Sequence, residues 1–323
     1  MKKFFILAAA VCVTLASCVK NEPVATPEFG DEISFESPVL APAVKATTDL
    51  PTNESFVVWA HPTATQWTTG STLGNVYMNA VEVTYQSTVW KAKATEGKYY
   101  WPKAGYLQFS AYTPKVEDAG FQANVDNNGI TFTNYVAGNE TPRDLMFSER
   151  TYDKNANNVA IVFNHALSAI NFSFAKTTDA DFTIKSVAIT GVGSKSNFDQ
   201  NLAIAANAQT TAAAWDTPTV PANYTVFSGT FDVPSTAGAP TYTEWYLIPQ
   251  TFADDSEAAI VVTYTQGGYG ETLFTATHNL AESTWVIGNR YTYNVSFGAT
   301  EIQFAPKESE WATGTVSNQP SIQ

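Results

Sequence analysis

The chain has 323 residues, a formal charge of -13, 13% aromatic side chains and only 15% charged ones. So acidic a balance repels phosphate backbones and excludes nucleic acid as a partner. The aromatic content excludes disorder for most of the chain, and the length suits two domains.

Lys2 and Lys3 precede an apolar run from Phe4 to Ala16. The run is shorter than the roughly 20 residues that span a bilayer and suits the core of an export signal. Its end, Leu15-Ala16-Ser17-Cys18, resembles the bacterial lipobox, in which small residues fit a signal peptidase and the Cys thiol is acylated before cleavage. Residues 1–17 are then a signal peptide and Cys18 the lipidation site; the alternative is an ordinary secretory signal in which Cys18 is incidental. Cys12 leaves with the signal and Cys18 becomes a thioether, so the mature fold keeps no thiol for a disulfide, a metal or catalysis. Losing Lys2 and Lys3 moves the charge from -13 to -15. Each buried methylene contributes only about 0.8 kcal/mol, so stable anchoring takes more than one acyl chain. The expected location is the outer membrane or cell surface, attached by lipid. Val19-Lys20-Asn21-Glu22 resembles a surface-export signal, although a soluble tether contains the same residue types.

Residues 18–52 read as a tether, with five prolines and one short alternation, Ile33-Ser34-Phe35. That alternation predicts a single isolated strand, which Phe29 or Val39 extends. Pro38 and Pro42 are expected to interrupt further pairing and to leave Val44-Lys45-Ala46-Thr47 exposed.

From Phe56 onward the period is two. Val81, Val83 and Tyr85 alternate with polar residues, as do Leu107, Phe109 and Ala111, then Ile170, Phe172 and Phe174, and finally Tyr291, Tyr293, Val295 and Phe297. Each run offers one face to a core and the other to water, the pattern of half-buried antiparallel strands. Asn128-Gly129 and Gly267-Gly268 mark hairpin turns. Only Asn207 to Trp215, with three consecutive alanines, hints at a helix. The fold class is all-β with very little helix, as two antiparallel β-sandwich domains in tandem. The polar stretch Ala175 to Asp181 suggests boundaries at 53–176 and 177–323.

Chemistry-bearing groups are sparse. His61, His165 and His278 lack partners at metal-ligand spacing, so no metal and no cofactor is expected. His165, between apolar runs, reads as a hydrogen-bonded structural histidine. Asp254-Asp255, and Asp179 with Asp181, are formal carboxylate pairs for glycoside hydrolysis, but such neighbours usually mark solvated turns. Asp126-Asn127-Asn128-Gly129 reads as a hairpin turn rather than a calcium loop. Trp67, in the polar loop Thr65 to Gly70, is the aromatic residue to test for sugar stacking; core packing is the ordinary role of tryptophan. No enzymatic activity is expected.

Several stretches together resemble the fimbrillin family, the type V pilins and related surface lipoproteins. They are Tyr99-Tyr100-Trp101-Pro102 with Leu107 to Pro114; Asp144-Leu145-Met146-Phe147; Val159 to Phe163 with His165-Ala166-Leu167; Leu247 to Thr251; and Trp285, Gly288, Tyr291 and Tyr293 leading to Ile302-Gln303-Phe304 and Trp311. The resemblance spans roughly Phe56 to Trp311. It implies two transthyretin-like β-sandwiches and a fimbrial or adhesive role. It also implies a protease that removes the lipidated N-terminal strand, whose place a neighbour's C-terminal strand then fills. Carried onto this chain, Ile33 and Phe35 mark the displaced strand, Lys45 the processing site, and Ile302 with Phe304 the candidate donor strand. The partners implied are other pilin subunits, the membrane through the lipid on Cys18, and a host protein or glycan. Two features depart from the family: the linker offers Lys45 rather than Arg, and the tail from Ala312 to Gln323 is too polar to be a good donor. The alternative function is a glycan-binding surface lipoprotein of a polysaccharide-uptake system.

Overall fold

A computed structural model describes residues 30–41, 48–67, 71–138, 143–148, 150–153, 158–201, 213–242 and 244–310. The first half opens with β1 (Val39–Ala41), β2 (Thr48–Asp49), β3 (Ser55–Thr63), β4 (Met78–Gln86), β5 (Val89–Ala92) and β6 (Tyr106–Thr113). The chain leaves that sheet for a hairpin, β7 (Gln122–Asp126) and β8 (Gly129–Val136), and returns with β9 (Met146–Ser148), β10 (Thr151–Asp153) and β11 (Val162–His165). In space the sheet runs β2-β1-β11-β9-β6-β3-β4-β5, with β10 beside β6. Among the described residues the helical content is one 3-10 turn, Ala94–Glu96.

The second half contributes β12 (Ser168–Lys176), the long β13 (Phe182–Asp199), β14 (Ala214–Trp215), β15 (Thr219–Asp232), β16 (Trp245–Leu247) and β17 (Gln250–Thr251). It ends with β18 (Ala259–Gln266), β19 (Phe274–Asn279), β20 (Thr284–Trp285), β21 (Asn289–Phe297) and β22 (Ile302–Glu310). A four-stranded sheet runs β16-β12-β21-β22. A seven-stranded sheet runs β19-β18-β13-β8-β7, with β14 and β15 also on β13, and β17 pairs with β20. Because β13 pairs at one end with β18 and at the other with β8, hydrogen bonding runs continuously across residue 176.

The chain is all-β, as its period of two dictates, and the alternation sorts side chains into two buried clusters. In β3, Phe56, Val58 and Ala60 enter one cluster, while Val57 and Trp59 enter the other. The first sheet therefore lies between two cores. This corrects the expectation that β6 turns one face to water: Gln108 and Ser110 are buried, as are Leu107, Phe109 and Ala111. Gln108 is partly satisfied there: its Nε2 donates to the Thr63 hydroxyl at 3.1 Å, while among the described residues its buried Oε1 has no donor. In β12 and β21 the alternate aromatics do line a single core, and Phe172 stacks on Tyr293 at 5.8 Å.

The expected turn at Asn128-Gly129 is present. Asp126 pairs with Gly129, and the Asn128 amide donates to the Asp126 carboxylate at 2.7 Å. Gly129 has φ +117°, and a Cβ there would lie 2.6 Å from Oε1 of Gln200, so this turn requires glycine. The suggested helix at 207–215 is corrected in its described part: Trp215 pairs with Phe198 as a strand, while residues 207–212 lie outside the described residues. There the ring of Trp215 packs against Phe198 and Tyr135, and its indole N–H donates to the Ala166 carbonyl. Those tertiary contacts outweigh the helical preference of the alanines.

Candidate functional site

The N-terminal segment from Gly30 to Ala41, the leader, joins the two ends of the first sheet. On one side Asp31 accepts from the Trp101 amide at 3.0 Å, Ile33 donates to the Tyr99 carbonyl at 2.8 Å, and Phe35 donates to the Trp90 carbonyl at 2.8 Å. On the other side the Ser34 carbonyl accepts from Val159 at 2.8 Å, and Glu36 donates to the Val159 carbonyl at 3.0 Å. Trp90 belongs to β5, the last strand of the sheet, and Val159 leads into β11. The leader thus runs antiparallel to one wall and parallel to the other.

Alternation places Ile33 and Phe35 inward, where they are 2% and 1% exposed. Phe35 meets the Phe56 ring at 5.3 Å and the Phe109 ring at 5.9 Å, both edge-on. Trp90 packs on Phe56 and Trp101 on Phe109, completing the walls. Among the described residues neither buried indole N–H has an acceptor, a cost of about 1–3 kcal/mol each. On the outer face Glu32 lies 3.7 Å from the ammonium of Lys98, and the Ser34 hydroxyl donates to Asn158.

Pairing resumes directly after Pro38, which corrects the expectation that the prolines end it. The Val39 amide, next after Pro38, donates to the Ile161 carbonyl at 2.9 Å, and the Pro38 carbonyl accepts from Leu50 at 2.8 Å. β1 then pairs in parallel with β11 and antiparallel with β2, and Leu40 and Leu50 join the leader's core. Lys45 lies outside the described residues, in the connection 42–47 between two strands that pair with each other. Cys18 and Phe29 also lie outside the described residues.

Ile302 and Phe304 sit on β22, the last strand of the four-stranded sheet, and both are half-buried. Phe304 stacks on His278 at 5.2 Å with an interplanar angle of 13°. The polar second half of the strand, Pro306 to Glu310, includes Lys307, Glu308 and Glu310, features that discourage stray pairing at a sheet edge.

The histidines occupy separate places. Nδ1 of His165 is 3.0 Å from the Asp144 carboxylate, as expected of a structural histidine. Burial pushes the Asp144 carboxyl up, against the pull of His165. His61 is buried in β3, and burial, then the nearby Arg150, holds it below the usual imidazole value. Arg150 donates to the carbonyls of Asp126 and Asn127 and lies 4.8 Å from the centre of the Trp67 ring. One face of Trp67 is therefore occupied by a guanidinium. Asp254 and Asp255 lie on an exposed turn, and Asp181 pairs with Lys176 at 2.8 Å. Among the described residues no group of three or more His, Cys, Asp or Glu side chains is placed to hold a metal.

The sequence reading found Ile33 and Phe35 but missed the walls Trp90 and Val159 and the supporting Leu40 and Leu50. Trp90 and Ala92 share the alternation of β5, which is their one local signal.

The chain is thus an all-β protein whose first sheet takes up its own N-terminal leader. The sequence profile of the Fimbrillin-like family matches residues 44–315, and the chain belongs to that family. A fimbrial protein from Bacteroides vulgatus has a similar fold at 16% identity, with a TM-score of 0.54 over 87% of this chain and 99% of that one. A protein from Bacteroides uniformis, provisionally named for cell adhesion, matches with a TM-score of 0.53 at 16% identity over the same shares. No curated protein matches the chain in sequence.

Proposed function

We propose that the chain is a structural or accessory subunit of a type V fimbria, displayed at the cell surface, assembled by strand exchange and acting in adhesion. The observation that carries this reading is the leader, which is hydrogen-bonded along both edges and buries Ile33 and Phe35. In this reading the lipid on Cys18 holds the subunit at the outer membrane. Proteolysis at Lys45 separates leader from body, and a strand from a neighbouring subunit takes the vacated place. The two apolar seats alone contribute about 3–6 kcal/mol gross, and each restored backbone hydrogen bond adds about 0.5–1.5 kcal/mol. Such sums hold subunits together without covalent bonds. Ile302 and Phe304 on β22 are the donor candidates. The tandem division into 53–176 and 177–323 belongs to the same reading, although β12 lies before that boundary and pairs with β16 and β21 beyond it, as β8 pairs with β13. The role is mechanical rather than enzymatic.

The test uses purified chain carrying Cys18→Ser, nicked by limited digestion with a Lys-specific protease. Bodies beginning at Ala46 are expected to form oligomers that persist in mild detergent. Bodies that stay monomeric at every concentration, once mass spectrometry shows the leader gone, rule out the stalk role.

A further inference from the structure

The leader and the start of β22 carry the same pattern. Phe29-Gly30-Asp31-Glu32-Ile33-Ser34-Phe35-Glu36-Ser37-Pro38 and Phe297-Gly298-Ala299-Thr300-Glu301-Ile302-Gln303-Phe304-Ala305-Pro306 both begin Phe-Gly, contain Glu-Ile-x-Phe and end in Pro. The second has one more residue before the Glu and one fewer before the Pro.

The two versions occupy unequal places. Ile33 and Phe35 are fully buried, with hydrogen bonds on both sides of the strand. Ile302 and Phe304 are half-buried, and among the described strands β22 pairs with β21 alone. In the first pair's seats the second pair is itself buried more fully and meets two backbone edges, at the cost of its present pairing with β21 and contact with His278.

We infer that the groove reads a Glu-Ile-x-Phe strand in one register, and that its occupant after the leader is residues 301–305 of a second copy of this chain. Ile302 takes the seat of Ile33, Phe304 that of Phe35, and Glu301 faces Lys98 in place of Glu32. This rests on the strand-exchange reading and adds to it the partner and the register.

The backbone permits that register. The carbonyls of Thr300 and Gln303 replace those of Asp31 and Ser34 as acceptors for Trp101 and Val159. The amides of Ile302, Phe304 and Ala305 replace those of Ile33, Phe35 and Glu36. Pro306 falls at the exposed position of Ser37. A shift of two residues one way puts Pro306 in the Phe35 seat, where Trp90 needs an N–H; a shift the other way buries Thr300 in the Ile33 seat.

Full-length chain carrying Cys18→Ser, nicked at Lys45, is mixed with excess labelled peptide, and retained label is measured after gel filtration. The peptides are residues 297–306, the same with Ile302→Ser and Phe304→Ser, the same with Glu301→Lys, and residues 29–38. The 297–306 peptide is expected to be retained at least about tenfold more than its double-serine form, whose two lost apolar seats set that scale. Lys98→Glu in the chain is expected to lower its retention about two- to fivefold at low salt, and the Glu301→Lys peptide to recover it. If the 29–38 peptide binds and 297–306 does not, or if the double-serine form binds as well, the inference fails while strand exchange stands. Retention indifferent to Lys98→Glu overturns the register. Failure of both native peptides overturns strand exchange itself.

Discussion

Phe35 of the leader meets Phe56 of β3 edge-on, with ring centres 5.3 Å apart and planes at 89°. The contact links the chain's start to the centre of the first sheet, since β3 lies between β4 and β6. Edge-to-face pairs add about 0.5–1.5 kcal/mol to the burial of their area. Phe35→Ala is therefore expected to cost about 3–5 kcal/mol in urea unfolding of the intact chain. An unchanged urea midpoint would mean that the leader contributes nothing to the fold.

Phe304→Ser should behave differently. Its ring is half-buried and leans on His278, so the cost to the isolated subunit is expected to stay below about 2 kcal/mol. Oligomers of nicked chain, by contrast, should disappear. Gel filtration beside urea unfolding separates the two effects, and oligomers that survive the substitution would assign the donor elsewhere.

Gln200 is completely buried and serves two strands at once. Its Oε1 accepts from the Ile130 amide and its Nε2 donates to the Ser148 carbonyl, both at 2.9 Å. Gln200→Ala strands both groups and should cost about 2–4 kcal/mol. Amide hydrogen exchange at Ile130 is expected to speed up in step with the loss of stability.

Glu82 receives Lys93 at 3.0 Å and Lys115 at 3.4 Å. Burial works to raise its pKa, but the two lysines prevail and hold it below the usual carboxylate value. A depressed carboxyl pKa stabilises the fold above the unfolded-state value and loses that contribution as pH falls through the folded-state value. Glu82→Gln should cost about 0.5–1 kcal/mol at neutral pH, because both lysines are well exposed. The difference from the native chain should vanish once the medium is acid enough to protonate Glu82. Urea midpoints across the acid range test the sign: a penalty that persists in strong acid would place the cause elsewhere.

The all-β fold was legible because strand periodicity is local: Ile33 and Phe35 announce an inward face within three residues. What they face is not local. Trp90 and Val159 come from distant parts of the chain, and no pattern near either residue names the other. Gln108 and Ser110 misled for a related reason, since alternation reports one buried face and is silent about a second core behind the sheet. Gln200 gave no signal, because a buried amide that serves two backbone groups looks in sequence like any turn residue. The Glu-Ile-x-Phe pattern on β22 lay open in the sequence, yet it gains meaning only beside the unequal burial of its two versions.

In the strand-exchange reading proposed above, the pairing of β1 with β2 separates two events in time. A protease acting between them cuts one covalent link and leaves every hydrogen bond of both strands in place. Under that reading cutting and departure are separate steps, and a nicked subunit keeps its leader seated. Such a subunit would keep its shape before assembly and open only when a competing strand displaced the old occupant.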